Sequence, residues 1–217
     1  MSRRKPSRRE LIVLGGFLAA GAGGAWAVRR MRPPGTLAGW TAVVRAAHAE
    51  PAPVGGNPDG DLSLLLFTDF NCAACRLAHG PMMAAIAADG GVKLKYMDWP
   101  IFGADSRAAA LVAQAADAQG LTPAVHAAMM QGPRASGAGA EAAVAEAGGD
   151  VAALRTALAD EAPALMARLS RYAFHAFSLG LAGTPGHLIG PLLLPGAHDE
   201  RGFRRAFERA RAEPPPR

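Results

Sequence analysis

Cys72 and Cys75 are the only cysteines among 217 residues, and two alanines separate them. A cross-link that closes so short a loop removes little chain entropy, which makes a structural staple a poor use of the pair. Thiol–disulfide exchange or metal binding suits the spacing better. Both chemistries need a thiolate, and the flanking sequence supplies a place for one. Residues 62–67 form an apolar run, Asp69-Phe-Asn leads into Cys72, and residues 76–88 are compatible with a helix. The order is strand, Cys-x-x-Cys, helix. The amino end of a helix carries about half a positive charge and unpaired N–H donors. Both stabilise a negative sulfur at Cys72, and a stabilised thiolate is the better leaving group in exchange. Cys72 is therefore the expected attacking, exposed sulfur. Cys75, one helical turn further in, is expected to be buried and to resolve a mixed disulfide.

Neighbouring side chains add to this chemistry. Asp69 is either a proton acceptor for Cys75 or, as an aspartate ending a strand, a cap for the next turn. His79 follows Cys75 by four residues on one helix face, close to Met82 and Met83. Soft ligands of this kind suit Cu(I) or zinc. They make metal binding the alternative from a different class, with few local ligands and with His79 read as a surface or half-buried residue.

The elements that must position these groups are legible in the periodicity. Leu37, Trp40, Val43, Val44 and Ala47 have helical spacing over residues 37–48. Residues 50–60 are rich in Pro and Gly and read as a loop. The continuous apolar run at 62–67 is that of a strand covered on both faces. In the helix after the cysteines, Leu77, Met82, Met83 and Ile86 form the expected inward stripe, and Pro81 is expected to kink it. Residues 92–98 alternate as a strand with one face in a core. From 105 to 180 the chain reads as helical throughout. Ser106 is the expected cap of a helix ending near Gly120, and Thr122-Pro123 a cap followed by proline at the first helical position. Residues 132–139 read as a flexible connection. Short helices follow at 140–147 and 150–159, then a longer one at 161–179 with Leu165, Leu169, Tyr172, Ala173 and Ala176 inward. Runs at 187–189 and 192–194 flank the Gly190-Pro191 turn of a hairpin. Asp199 caps a last helix at 200–212, with Phe203 and Phe207 on one face, and 213–217 is a tail.

Half of the residues are apolar, aromatics are few and alanine is abundant, which points to Ala-rich helices around one core. The net charge of +5 is unevenly spread: residues 1–32 carry eight Lys and Arg against Glu10, a local net of +7 that leaves the rest two units negative. No basic patch with interleaved aromatics is found in the body, which excludes nucleic acid as the expected partner. Residues 1–10 are basic and the 18 residues 11–28 are uncharged, as in an export signal. Ala25-Trp26-Ala27 fits a cleavage site, and Ser7-Arg8-Arg9-Glu10-Leu11-Ile12 is similar to a twin-arginine signal. The alternative is an uncleaved anchor, although 18 residues with five glycines are short for a membrane span. Either way the body is expected in the periplasm, where disulfides persist, free or attached to the inner membrane through 11–28.

Several features now stand in order: Asp69-Phe-Asn-Cys72-Ala-Ala-Cys75, Asp98-Trp-Pro-Ile-Phe-Gly103 with Ser106, a helical stretch, and Gly183-Thr184-Pro185 ahead of a hairpin. Over residues 54–212 the chain resembles the DsbA-like branch of the thioredoxin superfamily, the exported thiol–disulfide oxidoreductases. The resemblance implies an α/β, thioredoxin-like fold with an inserted helical subdomain. It implies that Pro185 follows a cis peptide bond beside the cysteines and that the Thr184 backbone pairs with a bound substrate chain. It also implies disulfide exchange with protein substrates, a membrane redox partner that recycles the pair, and no organic cofactor or metal. The chain departs from the family pattern in three places. Ala73-Ala74 replaces the usual proline and histidine, Gly186 and His187 replace larger apolar residues, and the short segment before the first core strand leaves little room for an edge strand.

The expected organisation is a signal or anchor at 1–32, a helix and linker at 33–60, a first thioredoxin half at 61–104, a helical insertion at 105–180, a second half at 181–212 and a tail at 213–217. The expected function is a DsbA-type disulfide oxidase with Cys72 and Cys75 catalytic, Thr184 and Pro185 binding substrate, and Asp69 and His187 as modulators. The alternatives are a reductase or isomerase of the same chemistry, or a copper- or zinc-binding protein on the same fold.

Overall fold

The run Leu-Ser-Leu-Leu-Leu-Phe-Thr has no polar face to offer water, so it can persist only at the centre of a sheet. It forms Leu62–Thr68, a seven-residue strand with Leu64, Leu65 and Phe67 wholly inaccessible. The computed structural model describes residues 34–215. The segments 1–10 and 11–28, expected as signal or anchor, lie outside the described residues. Among the described residues no helix is long and apolar enough to cross a membrane.

In chain order the elements are β1 (Thr36–Leu37), α1 (Ala42–Ala49), β2 (Val54–Gly56), β3 (Leu62–Thr68), α2 (Ala73–Asp89), β4 (Val92–Asp98), α3 (Ala104–Ala115), α4 (Thr122–Gln131), α5 (Gly137–Glu146), α6 (Val151–Asp160), α7 (Ala162–Ser178), β5 (Gly186–Ile189), β6 (Leu192–Pro195) and α8 (Glu200–Arg211), with a 3₁₀ turn at Ala116–Gln119. The six strands form one mixed sheet in the order β1-β6-β5-β3-β4-β2. β3 and β4 run parallel in register Leu64↔Leu94, as strands joined by a crossover helix do. β5 lies antiparallel on the other side of β3, with Leu66 opposite His187. Alternation along the strands divides the core in two. Leu64, Leu66, Leu94, Tyr96 and Ile189 pack with Met82 and Ile86 of α2 and Phe203 and Phe207 of α8. Leu65, Phe67, Met97 and Leu188 face α1 and the inserted helices α3–α7. This is the expected α/β architecture, a thioredoxin-like sheet with a helical subdomain between β4 and β5.

Five expectations need correction. The helix expected over 37–48 begins only at Ala42, where the Thr41 hydroxyl accepts from Val44 N–H at 3.3 Å. Leu37 instead belongs to β1, paired with Leu192 of β6. Residues 54–56, read as loop, form the edge strand β2 on β4. Three residues of which two are glycine carry almost no β-propensity. Here glycine is required by contact, because a Cβ on Gly55 would sit 2.8 Å from the Tyr96 hydroxyl. The edge strands are therefore present. Leu77 is 75% exposed, and the buried face of α2 is Cys75, Ala78, His79, Met82, Ala85 and Ile86. Cys75 opens that stripe, and Leu77 lies roughly 200° around the helix from it. Ser106 and Thr122 do not cap. Gly103 and Leu121 precede their helices, while the two hydroxyls donate to Asp69 and to the Ala113 carbonyl. The connection expected at 132–139 is shorter, because α5 starts at Gly137 with the Ser136 hydroxyl accepting from Gly139 N–H.

Candidate redox site

The turn between β3 and α2 is built by Asp69. One carboxylate oxygen accepts from Asn71 N–H at 2.7 Å and from the Ser106 hydroxyl at 2.8 Å. The other accepts from the N–H groups of Ile101 and Phe102 at 2.7 and 2.9 Å. The Asp69 carbonyl accepts from Cys72 N–H at 3.1 Å. Of the two readings of Asp69, the turn cap describes these contacts. They also extend to the loop after β4, which no local pattern indicates.

This turn leaves Cys72 extended, as the N-cap residue of a 17-residue helix, and puts Cys75 in its first turn. Both are free thiols. The Cys72 thiol donates to the Thr184 carbonyl at 3.3 Å, across a gap of 112 residues in sequence. Thr184-Pro185 is a cis peptide bond. The sulfur pair and the Gly-Thr-Pro segment, read from the sequence as partners, thus meet. Cys72 was expected to be exposed, yet it is only 5% accessible, against 3% for Cys75. The Thr184 carbonyl lies against it. In addition the 132–136 segment of the insertion folds over this end of the domain and adds Ala135 to the same apolar cluster. Asn71 holds that segment, accepting from Ala135 N–H at 2.9 Å and donating to the Ala135 carbonyl at 3.1 Å.

Arg76 completes the tether by donating to the carbonyls of Phe70, Met129 and Gly132. Sequence reasoning passed over Arg76 and Asn71. The signal for Arg76 was its charge: a cation in the first turn opposes the helix dipole, so it needs another reason to be there. Gly186 also has a contact reason, because a Cβ there would lie 2.5 Å from Leu181.

Burial governs the titration of the deeper groups. It pushes the Cys75 thiol up to about 12, partly opposed by the Asp69 backbone and by the hydroxyls of Thr184 and Thr68. His79, expected at the surface, is 5% accessible because it belongs to the stripe opened by Cys75. His187 is wholly buried with Nδ1 2.9 Å from the Leu194 carbonyl. Burial lowers both imidazoles to about 4. Deeper still, Asp98 accepts from His126 and Gln114, each at 2.8 Å. Among the described residues no three His, Cys, Asp or Glu side chains are grouped to hold a metal ion.

The depressed value at His187 sets the sign of an acid effect. The unfolded chain binds the proton near pH 6.5 and the folded one only near 4, so the stability that this group contributes is complete above about 6.5 and lost as pH falls towards 4. The expected loss is about 3 kcal/mol by pH 4. Urea unfolding at pH 7 and 4.5 should show it, and His187→Leu should reduce the difference; an unchanged acid slope in that variant would rule His187 out as its source.

The profile of the Thioredoxin family matches residues 48–209. A thioredoxin-like oxidoreductase from Silicibacter pomeroyi DSS-3 superposes with a TM-score of 0.70 at 35% identity, covering 76% of this chain and 95% of that one. Two more distant structures share the fold. The thiol-disulfide exchange protein alpha-DsbA2 from Wolbachia pipientis has a TM-score of 0.69 at 24% identity, with 77% and 95% covered. The catalytic domain of Proteus mirabilis ScsC has a TM-score of 0.68 at 23% identity, with 78% and 97% covered. No curated protein matches the sequence.

Proposed function

The chain belongs to the Thioredoxin family, and from that premise we propose that it is a DsbA-like, periplasmic disulfide oxidase that exchanges disulfides with protein substrates through Cys72 and Cys75. The observation that carries the reading is the Cys72 sulfur at the amino end of α2, one turn from the buried Cys75 and bonded to the carbonyl ahead of Pro185.

In the oxidised protein a substrate thiolate attacks the Cys72 sulfur. The Cys72–Cys75 bond breaks, and its electron pair leaves on Cys75, which takes up a proton. The substrate is then joined to Cys72, and its second thiolate attacks its own sulfur in that mixed disulfide. Cys72 leaves as a thiolate, stabilised by the unpaired N–H groups of the helix terminus. The substrate has lost two electrons and the pair has gained them. A disulfide-bearing membrane partner takes them back, and export through residues 1–28 delivers the domain to the compartment where this cycle runs. Thr184 and Pro185 border the groove, and substrate entry displaces the Cys72–Thr184 contact. Ile101, Phe102 and Phe177, between 44% and 65% exposed, offer the apolar surface that a protein substrate needs nearby.

The reduction potential of the pair, measured on the purified protein in glutathione buffers, tests the direction. A value near about −120 mV belongs to a strong oxidant and is the expected result. A value near about −270 mV belongs to a reductant and would replace the oxidase reading with the reductase one.

A further inference from the structure

Strand β3 turns Leu64, Leu66 and Thr68 to one face, since side chains two apart share a side. The first two belong to the apolar cluster under α2. The third, at 1% accessibility, brings a hydroxyl where a valine of the same shape would fit. A buried hydroxyl needs a partner. This one reaches the Cys75 sulfur, as do the Thr184 hydroxyl and the Asp69 backbone. Thr184 Oγ1 is itself buried and makes no other hydrogen bond.

The surroundings of that sulfur hold little else for a negative charge. Between α2, α4, β3 and β5, Thr68, Cys75, His79, Met82, Met130 and His187 border about 190 Å³ of interatomic space with no room for a water-sized sphere. No Lys or Arg borders it. Burial lowers the His79 and His187 imidazoles to about 4, so both are neutral near pH 7. The Asp98 carboxylate is held by His126 and Gln114. The Asp69 carboxylate, with four donors of its own, adds negative charge rather than a donor. A charged sulfur in such a place is costly unless something donates to it. Hydroxyls and backbone groups are the donors left.

We propose that Thr68 is a catalytic residue of the exchange: its hydroxyl donates to the Cys75 sulfur while negative charge develops there, and so lowers the barrier of the step in which the Cys72–Cys75 bond breaks or forms. Resting on the oxidoreductase reading above, the step balances without a further reactant. A thiolate sulfur bonds to Cys72, the Cys72–Cys75 bond breaks, and its electron pair stays on Cys75. Thr68 keeps its own proton, and Cys75 takes one up from solvent afterwards. In the opposite direction Cys75 gives that proton back to solvent, attacks Cys72 and expels the thiolate. The hydroxyl acts as the donors of an oxyanion hole do, aimed at the place where charge appears. In the two end states Cys75 is a neutral thiol or half of a disulfide, and a donor gains less from either than from a charged acceptor. Loss of the hydroxyl therefore slows both directions alike and leaves the equilibrium where it was.

The test follows one step in both directions on the full chain: glutathione opening the Cys72–Cys75 disulfide, and the Cys72–glutathione adduct closing it, each sampled by acid quench and mass spectrometry. In Thr68→Val both rates should fall about tenfold, with the equilibrium constant within about twofold of wild type. Thr68→Ser should restore both rates. Alkylation of Cys72 in a Cys75→Ala background should be the same with and without Thr68→Val. Wild-type rates in Thr68→Val would overturn the proposal. So would a shifted equilibrium that accounts for the slower direction, or slower alkylation of Cys72, since either means that the substitution acts through the fold. If glutathione opens no such bond in the wild type, the oxidoreductase reading fails and the role of Thr68 falls with it.

Discussion

A Cys75→Ala variant is expected to become trapped on its substrates. With Cys72 intact and no resolving sulfur, each encounter with a substrate disulfide ends in a mixed disulfide at Cys72. Non-reducing electrophoresis and mass spectrometry of the variant incubated with a disulfide-bearing protein should find a one-to-one adduct that reductant releases. Cys72→Ala should form none, and its turnover should fall on the order of a hundredfold or more, as when a nucleophile is removed. The asymmetry rests on position: Cys72 ends the helix and contacts the Thr184 carbonyl, while Cys75 lies a turn deeper with its thiol pushed up by burial. Adducts at Cys75 in the Cys72→Ala variant would reverse the assigned roles. Each substitution removes one buried sulfur, so the fold should survive and far-ultraviolet circular dichroism should stay as in the wild type.

The second large effect is structural. Asp69→Ala is expected to destabilise the domain by about 3–5 kcal/mol, because it leaves four donors without an acceptor at a site only 1% accessible. For a domain of this size that lowers Tm by roughly 10 °C. Asp69→Asn should cost less, about 2 kcal/mol, since its carbonyl oxygen replaces one carboxylate oxygen but its NH₂ group confronts the two donors of the other. Thermal unfolding separates the three proteins, and hydrogen exchange should show the Ile101 and Phe102 amides released first. Equal Tm values for wild type and Asp69→Ala would mean that the carboxylate does not tie the redox turn to the loop after β4.

The two kinds of information divide along sequence separation. Patterns that repeat every two or 3.6 residues are local, and these were legible: the buried strand at 62–68, the hairpin around Gly190-Pro191, the amphipathic last helix with Phe203 and Phe207, and the cysteine pair between strand and helix. Residue chemistry at fixed spacing was legible too, since Gly183-Thr184-Pro185 was matched with Cys72 across more than 100 residues by its likeness to a known family. The elements missed were those whose reason for forming lies elsewhere in the chain. β2 exists because Tyr96 leaves room for glycine and nothing larger. Leu77 faces out because Cys75 and Ile86 define the inward stripe. Ser106 and Thr122 have good capping chemistry, but Ser106 donates to Asp69 across the fold and Thr122 to the Ala113 carbonyl of the preceding helix.

By itself, then, the sequence determined the α/β class and the place of the cysteine pair between strand and helix, because those depend on local periodicity and on residue type. Only the tertiary structure decided how the sulfurs are covered, where Asp69 spends its four bonds and which imidazoles lie beneath Cys75. Burial and hydrogen bonding are properties of neighbours in space, and no spacing along the chain records that the 132–136 segment folds onto Asn71 or that His79 and His187 border one void.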